Sequence, residues 1–477
     1  MNRIKTAVVL LALVLPLVLM PIAMAVSAQP QVQQIIEQIG SDVQEIRGLT
    51  LKNPIEVGFM NREELRAKLV AEFDEDWPVG DRQTDQEIMV MFGFLEPDDD
   101  LYRILLELLT EQILGFYDAE DKELYLISGE ETLSATDRLA IAHEIAHALQ
   151  DQYYHLDQPP FDVDDSHDDD ALSATTALIE GDAMRVSNRY ALSYLDTSDL
   201  TAEDLESSED QLAGAPTYIR DSLLFPYIEG EKFVQEQGRS NERADALFRN
   251  PPVSTEQILH PELYPSDTPT AITMDDMSDA LGEGWFQEEY NTIGEFDVYQ
   301  IFKPYLTGAT ARQAAAGWDG TLYHYYLDGG DGKLLVQSYA WDSGDDAAEF
   351  AEAFVEYLPE RFPGATQTTE GNWTRWDAGG YHFGLKTDGD RTEVVQSTTA
   401  IAASTAIATL GQESTKPDGN AEDGQENEHG RYDWLAPVLA IALAILFLAL
   451  AMVVLLLRRR GRRARTGAEP PSGPPLE

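Results

Sequence analysis

A long stretch without proline or glycine, from Ala135 to about Gln152, most constrains how this chain folds. Ser134 is followed three residues later by Asp137, which resembles a capping box, so an α-helix is predicted to begin here. The stretch contains the pentapeptide HEIAH at residues 143–147. Because positions i and i+4 project from the same helix face, both imidazoles are expected on one side of this helix.

Two imidazoles on one helix face can bind one metal ion, and the His-Glu-x-x-His spacing is typical of zinc. Glu144 would then lie beside a metal-bound water as a general base without being a ligand itself. Apolar residues around the pair, such as Leu139 and Leu149, indicate a helix packed at the floor of a cleft. The alternative interpretation is that His143 and His147 are ordinary helix residues.

A catalytic zinc takes three protein ligands and leaves one position open, so the motif needs a third donor. Glu180 is the favoured candidate, because it lies in a second helical stretch, from about Asp170 to Tyr190, among small residues on one face. Gly181 costs such a helix roughly 1 kcal/mol relative to Ala, which is explained if two helices approach closely there. His155 and the carboxylates of the acidic run 162–170 are weaker candidates, and Glu180 could instead be a solvated surface side chain.

The chain resembles the gluzincins, zinc peptidases in which a Glu on a following helix completes the His-Glu-x-x-His site. The matching residues are His143, Glu144, His147 and Glu180. Three further segments, 147–152, 225–234 and 254–261, resemble a group of uncharacterised bacterial membrane-anchored metallopeptidases. The resemblance covers roughly residues 50–265, and it implies zinc-dependent hydrolysis of a peptide or protein substrate.

The resemblance also implies roles for individual residues. Glu144 would take the proton of the attacking water and pass it to the leaving amine. Tyr227 is the first candidate for stabilising the oxyanion, because its Tyr-x-x-Gly setting resembles the helix that supplies a catalytic Tyr in aminopeptidase-like gluzincins. His260, in a proline-rich loop, is the second candidate. The alternatives are a packed aromatic side chain for Tyr227 and a loop-anchoring hydrogen bond for His260.

One position departs from the gluzincin pattern, since thermolysin-like enzymes carry an Asp four residues after the ligand Glu and this chain has Met184 there. The sequence therefore does not decide which carboxylate would accept the second ring N–H of a metal-bound His. Asp151, four residues after His147, and Asp182 are the two candidates. Either could equally be a solvated surface charge.

The predicted fold class is α+β, with a zincin-like metallopeptidase domain at residues 29–268 that is mainly helical with an edge β-hairpin. The hairpin is predicted from residues 115–118 and 123–127, which flank an acidic turn. By the resemblance, Glu123–Ser128 would pair with an extended substrate through strand addition. The alternative is an internal strand without a free edge.

Two other parts of this domain are predicted from local sequence patterns. The segment from Gln31 to about Gln112 alternates helix-like runs with one short strand, Pro54–Met60, after which Asn61 is expected to cap a helix. Residues 197–214 are polar and acidic, which indicates a surface insertion.

A small α+β module, of two strand pairs around one helix, is predicted for residues 269–411. The expected strands are 322–327, 333–341, 372–376 and 381–386, and the expected helix is 345–358. The sequence of this module shows no metal-ligand cluster and no phosphate-binding loop. The role of this module could be substrate recognition, partner binding or inhibition of the metal site.

Both ends of the chain indicate a membrane protein. Residues 1–28 combine a basic start, an apolar run and a small-residue cleavage site, which predicts a secretory signal or, alternatively, a retained anchor. Residues 434–457 lack charge and six arginines follow, so a transmembrane helix with a basic cytoplasmic tail at 458–477 is expected. Residues 412–433 would form a flexible acidic stalk. The expected topology is single-pass type I, with the large domain outside the cytoplasm.

The formal net charge of −52 argues against nucleic acid as a partner. The chain has no Cys, so its core, with or without bound ions, must hold the exported part together in place of disulfides. The acidic run Asp162–Asp170 could bind calcium. His167 stands where an EF-hand loop needs Gly, however, and this favours a solvated loop.

Two functions from different classes remain. The first is a membrane-anchored zinc peptidase, and the second is a non-catalytic, metal-binding surface protein with a zincin-like fold. The presence of Glu144 favours the enzyme, because a purely structural zinc needs neither a base nor an open position.

Overall fold

The computed structural model describes residues 30–118, 122–127, 133–161, 167–196 and 214–413. The predicted signal segment, transmembrane helix and basic tail lie outside these residues, as do nearly all of the stalk and of the insertion at 197–214. Within the described ranges, no helix combines the length and apolar character that a membrane span requires.

The first part of the described chain is mainly helical, with three short strands. Its elements are α1 (Pro30–Arg47), β1 (Glu56–Met60), α2 (Arg62–Asp76), α3 (Val79–Phe92), α4 (Leu101–Gln112), β2 (Gly115–Asp118), β3 (Glu123–Ile127), α5 (Ala135–Tyr154), α6 (Asp169–Tyr194) and α7 (Thr217–Gln237). Two predicted caps are confirmed. Asn61 accepts the backbone N–H of Glu63 and Glu64, and the Ser134 hydroxyl accepts that of Asp137 at 3.0 Å.

The predicted hairpin is confirmed, but its position in the sheet differs from the expectation. Strands β2 and β3 pair antiparallel, and β1 pairs parallel to the other side of β3. The order β1-β3-β2 places β3 in the centre, so the expected free edge at Glu123–Ile127 is wrong; Ser128 lies outside the described residues. Within the part of the sheet that the structure describes, the strand with an open side next to α5 is β2.

Helices α6 and α7 make the most extensive helix contact of the described chain, with their backbones touching. A Cβ atom added to Gly181 would lie 2.2 Å from the carbonyl carbon of Gly230, and one added to Gly230 would lie 2.0 Å from the carbonyl oxygen of Ala177. The close helix approach predicted from Gly181 is therefore confirmed.

A large antiparallel sheet dominates the second part of the chain. Its elements are α8 (Asn241–Arg249), α9 (Thr255–Leu259), α10 (Ser278–Leu281), β4 (Phe286–Asn291), α11 (Glu295–Phe302), α12 (Gly308–Ala315), β5 (Trp318–Leu327), β6 (Lys333–Trp341), α13 (Gly344–Arg361), β7 (Thr366–Glu370), β8 (Trp373–Ala378), β9 (Tyr381–Asp388), β10 (Arg391–Ser397) and α14 (Ala400–Glu413). The strand order is β4-β5-β6-β10-β9-β8-β7. The α+β class is confirmed, but the two predicted strand pairs belong to one seven-stranded sheet, because β10 pairs with both β6 and β9.

Both faces of this sheet are covered. Alternate residues of β6 point to opposite sides, so Leu335 and Tyr339 pack with α13 while Leu334 and Val336 pack with α14. Helix α3, from the first part of the chain, contributes buried side chains such as Phe92 to the α13 side. The second core therefore includes residues from far outside the predicted module 269–411.

Candidate metal centre

The predicted metal ligands come together in the interior. Helix α5 places His143 and His147 one turn apart, with 0% and 7% of their surface exposed, and α6 brings Glu180, which is 1% exposed. Glu180 Oε2 lies 3.1 Å from His143 Nε2 and 3.3 Å from His147 Nε2. The two Nε2 atoms are 2.9 Å apart. The three residues that the sequence selected therefore converge on one point.

This donor set fits a zinc ion. Three ligands of a tetrahedral zinc at about 2.0–2.2 Å are roughly 3.3 Å from one another, close to the separations observed here. Two imidazole nitrogens and one carboxylate oxygen are also the ligand types that zinc accepts. These three side chains form one of two groups in the described residues whose His and carboxylate donors are close enough for a shared ion.

A glutamine orients the second histidine. His147 Nδ1 lies 2.9 Å from the Gln150 side-chain oxygen, so the ring N–H donates there and Nε2 keeps its lone pair for the metal. The Gln150 amide in turn donates to the Ile179 carbonyl at 3.0 Å and to Asp182 at 3.3 Å. Gln150 was not among the predicted site residues, although its place three residues after His147 on one helix face was a usable signal.

Two carboxylates were candidates for supporting the metal ligands, and Asp182 does so indirectly, through its hydrogen bond with Gln150. It is fully buried, and Arg47 and Arg185 donate to it at 2.8 and 2.6 Å. Burial opposes the charge on Asp182, but the two guanidinium groups prevail and lower its pKa. Asp151 instead accepts the Tyr117 hydroxyl at 2.9 Å and pairs with Lys122 at 3.1 Å. His147 is therefore linked to Asp182, through Gln150, and not to Asp151.

Glu144 lies beside the ligands with one oxygen engaged. Its Oε2 accepts the backbone N–H of Tyr117, on β2, at 2.7 Å. Its Oε1 is buried and has no hydrogen-bond partner among the described residues. Burial raises the pKa of Glu144 to about 8, against the opposing charge of His147. Such a group is suited to accept and release a proton near neutral pH.

The metal-free ligands share a proton. Burial lowers the pKa of His147, but the charge of Glu180 and its hydrogen bonds outweigh that effect and raise the pKa to about 9. Burial likewise opposes the charge of Glu180, and the positive His147 lowers the pKa of that carboxyl to about 2. Burial lowers the pKa of His143. An imidazolium–carboxylate pair therefore occupies the centre at neutral pH, and a metal ion must displace its proton.

Tyr227 joins the centre, whereas His260 contacts a different group. Helix α7 places the buried Tyr227 ring 6.3 Å from that of His143, and burial together with a hydrogen bond to Glu180 raises the pKa of its hydroxyl well above the usual value. His260 Nε2 lies 3.0 Å from Glu295 Oε1. No contact between His260 and the metal ligands occurs in the described chain, so its catalytic role stays a prediction without structural support.

The weaker ligand candidates are used elsewhere. His155 ends α5 in a left-handed conformation and is exposed. In the acidic run, residues 162–166 lie outside the described ranges. Asp168 caps α6 through the N–H of Ala171, and Asp170 accepts the N–H and hydroxyl of Thr255. The described part of this run therefore has structural partners and belongs to neither candidate ion site.

Comparison with known proteins places one part of the chain. A family model described as a domain of unknown function (DUF8575) matches residues 283–407, from just before β4 into α14. The match lies inside the predicted module 269–411 and does not include the metal centre. No match was found among curated proteins or among solved structures.

Proposed function

We propose that this protein is a zinc-dependent peptidase whose metal is held by His143, His147 and Glu180. The observation that carries the proposal is the burial of these three donors around one point, with the free Oε1 of Glu144 beside them. A structural ion would need neither an adjacent base nor the additional hydroxyl of Tyr227.

The residues of the centre have distinct roles in this proposal. A bound zinc would supply Lewis acidity for the scissile carbonyl and lower the pKa of water. Glu144 accepts a proton from the attacking water at Oε1 and delivers it to the nitrogen of the leaving amine, so the carboxylate ends the cycle in its starting state. The Tyr227 hydroxyl donates to the carbonyl oxygen as negative charge develops there. Gln150 holds His147 in the required tautomer.

Strand β2 is the proposed docking site for the main chain of the substrate. It has one unpaired side in the described sheet, it lies against α5, and its Tyr117 N–H already contacts Glu144. A peptide added antiparallel or parallel to this edge would bring its own carbonyl groups toward the metal. The docking edge proposed here thus replaces the β3 edge expected from the sequence.

The location of the activity is proposed from the sequence alone. The signal-like residues 1–28, the uncharged run 434–457 and the arginines after it favour a single-pass membrane protein with the peptidase outside the cytoplasm. The strongly acidic composition is compatible with a cation-rich exterior.

One observation favours the rival function, a metal-binding surface protein without catalysis. Glu144 and Tyr227 are each only 3% exposed, so the described residues enclose the centre almost completely. A peptidase must open this enclosure to admit a peptide, whereas a structural or binding protein need not.

The decisive experiment measures metal content and proteolysis on the same preparations. The purified protein is expected to contain one zinc per chain by elemental analysis and to cleave a denatured protein mixture. Glu144→Gln should retain the zinc and lose at least about a hundredfold in rate, because the proton acceptor is gone. Glu236→Gln, the same change at an exposed position of α7, is the matched control and should keep full activity.

Two outcomes would reject the enzyme. Identical cleavage products from Glu144→Gln and the unchanged protein would show that this centre does not catalyse the reaction. Absence of stoichiometric zinc from an active preparation would remove the proposed metal.

A further inference from the structure

A second group of carboxylates lies where the two parts of the chain meet. Asp267 belongs to the loop that follows α9, Asp319 lies in β5, and Asp342 directly follows β6. One carboxylate oxygen from each residue lies within 4.8 Å of the other two. Among the residues that the structure describes, no Lys or Arg forms an ion pair with any of the three. Their negative charges therefore face one another without a protein cation.

Local structure holds these side chains in place. Thr270 donates its hydroxyl to Asp319 Oδ2 at 2.6 Å and its N–H to Oδ1 at 3.2 Å. The side-chain amide of Gln257, on α9, donates to the Asp267 carbonyl. The Asp342 N–H donates to the Gly317 carbonyl at 2.8 Å. The carboxylate of Asp319 and the backbone at Asp267 and Asp342 are thus fixed by contacts that do not neutralise the three charges.

A fourth carboxylate lies in the same negatively charged surroundings. Glu256, on α9, is 3% exposed and forms no ion pair with a Lys or Arg of the described chain. The charges around it are those of Glu295, Asp267, Asp342 and Asp319, all of which repel it. Burial and these like charges raise the pKa of Glu256 to about 9, so its carboxylate lies in the same negative field as the three Asp side chains.

A buried carboxylate oxygen without a partner, on Glu295, adds to this charge. Glu295 Oε1 contacts His260 at 3.0 Å, but Glu295 Oε2 is buried and has no hydrogen-bond partner in the described ranges. Asp342 also repels Glu295. His260 is thus the only basic side chain observed in contact with these five carboxylates in the described chain, and one imidazolium cannot balance them.

We propose that Asp267, Asp319 and Asp342 bind a calcium ion, whose charge also compensates Glu256 and Glu295. All the donors are oxygens, which hard cations prefer and zinc does not. One oxygen of each Asp lies within 4.8 Å of the other two, so a single ion with calcium–oxygen distances of about 2.4 Å can contact all three after small side-chain adjustments. Partly exposed Asp side chains leave room for the water ligands that complete a calcium shell.

Such an ion would join the metal-centre part of the chain to the large sheet. Asp267 and Glu256 belong to the segment around α9, which packs against α6 and α7, whereas Asp319 and Asp342 belong to β5 and the end of β6. Calcium would replace repulsion between these parts by attraction. The site is independent of the proposed zinc chemistry, because no residue is shared between the two groups.

Calcium binding by the chelator-treated, zinc-reloaded protein tests the proposal. Calcium should raise the unfolding midpoint by about 5 °C at saturation, because it binds the folded state alone. Terbium, which takes the same oxygen ligands, should show saturable luminescence sensitised by Trp318 and Trp341, which adjoin Asp319 and Asp342 in sequence. Asp319→Asn should weaken both responses at least tenfold in ion concentration. Asp345→Asn, an exposed carboxylate three residues after Asp342, should leave them unchanged.

Three results would overturn the proposal. A midpoint that calcium does not alter would show that no ion binds here. An equal calcium response in Asp319→Asn and the unchanged protein would place the ion elsewhere in this acidic chain. An Asp319→Asn protein that is more stable than the parent, with no calcium response in either, would show that the group is merely repulsive. If Asp319→Asn fails to fold, Asp267→Asn serves as the second variant.

Discussion

At the scale of single residues, the metal centre depends on partners as much as on ligands. His147 and Glu180 lie at the centre itself, but the orientation of His147 depends on Gln150, and Gln150 depends on Asp182 and the Ile179 carbonyl. Asp182 is in turn fixed by Arg47, which reaches it from α1. Residues from three helices therefore determine where one imidazole nitrogen points.

Removal of the glutamine should weaken zinc binding. We expect Gln150→Ala to lower zinc affinity about 10- to 100-fold, because the His147 ring loses the acceptor that fixes its tautomer and direction. Competition with a chromophoric chelator measures the affinity. Gln152→Ala is the control, since Gln152 lies on the same helix but contacts the backbone around Lys52 and Asn53. Equal zinc affinity in Gln150→Ala and the parent would refute the role assigned to Gln150.

Zinc binding should release a proton. Because the pKa of His147 in the metal-free protein is raised to about 9, this residue is protonated at pH 7 and must lose its proton to bind zinc. The apparent affinity should therefore rise about tenfold per pH unit up to about pH 9 and level off above it. Calorimetry in buffers of different ionisation enthalpy counts the protons, and we expect at least one released at pH 7, because the pKa of the adjacent Glu144 is also raised, to about 8. An enthalpy independent of the buffer would contradict this account.

At the scale of secondary-structure elements, the local sequence predicts individual strands, whereas the neighbouring strands determine how they pair. The hairpin of β2 and β3 is encoded locally by alternating residues around an acidic turn. Which of its strands has a free side depends on β1, whose pairing partner is distant in sequence. Strand β10 escaped prediction because its apolar centre is short and its ends are polar, yet it joins the two expected strand pairs.

The contact of α6 with α7 should not tolerate a methyl group. We expect Gly181→Ala to destabilise the protein by about 1–3 kcal/mol, because the new Cβ would overlap the backbone of Gly230 and force the helices apart. Denaturant unfolding measures the change. Gly411→Ala, in α14, meets no atom within 4 Å and should instead stabilise by up to about 1 kcal/mol through helix propensity. A neutral Gly181→Ala would show that the helices are not packed as closely as described.

At the scale of the whole molecule, the two predicted domains share more structure than the sequence implies. Helix α3 packs its Phe92 into the core beneath the large sheet, and Arg361 of α13 donates to the Val90 and Met91 carbonyls. A boundary at residue 268 therefore separates the chain in sequence but not in packing. Truncation there would expose apolar surface on both sides.

Zinc removal tests whether the metal serves catalysis or folding. We expect the chelated protein to keep its helical circular dichroism spectrum, because the pair of His147 with Glu180 and the buried cores remain. Its unfolding midpoint should fall by about 5 °C and recover with zinc, as for any ligand that binds only the folded state. Global unfolding on chelation would contradict this and favour a structural metal, as in proteins that fold only around their ion.

Features that depend on local geometry can be read from the sequence alone. Helical periodicity alone places His143 and His147 on one face, and Ser134 with Asp137 marks where that helix begins. Glu180 was selected from its small neighbours, and Gly181 correctly predicted a close helix contact. These inferences succeed because side-chain direction within a helix follows from spacing along the chain.

Contacts between groups that are distant in sequence become evident only in the folded chain. Three findings depend on how separate elements pack. Asp182 rather than Asp151 is linked to His147, β3 lies in the centre of its sheet, and Asp267, Asp319 and Asp342 lie close together. Packing is set by the shapes and areas of many buried side chains together, so no single motif reports it. A sequence can therefore specify the candidate ligands on one helix face, whereas the set of charges that surrounds them is a property of the folded chain.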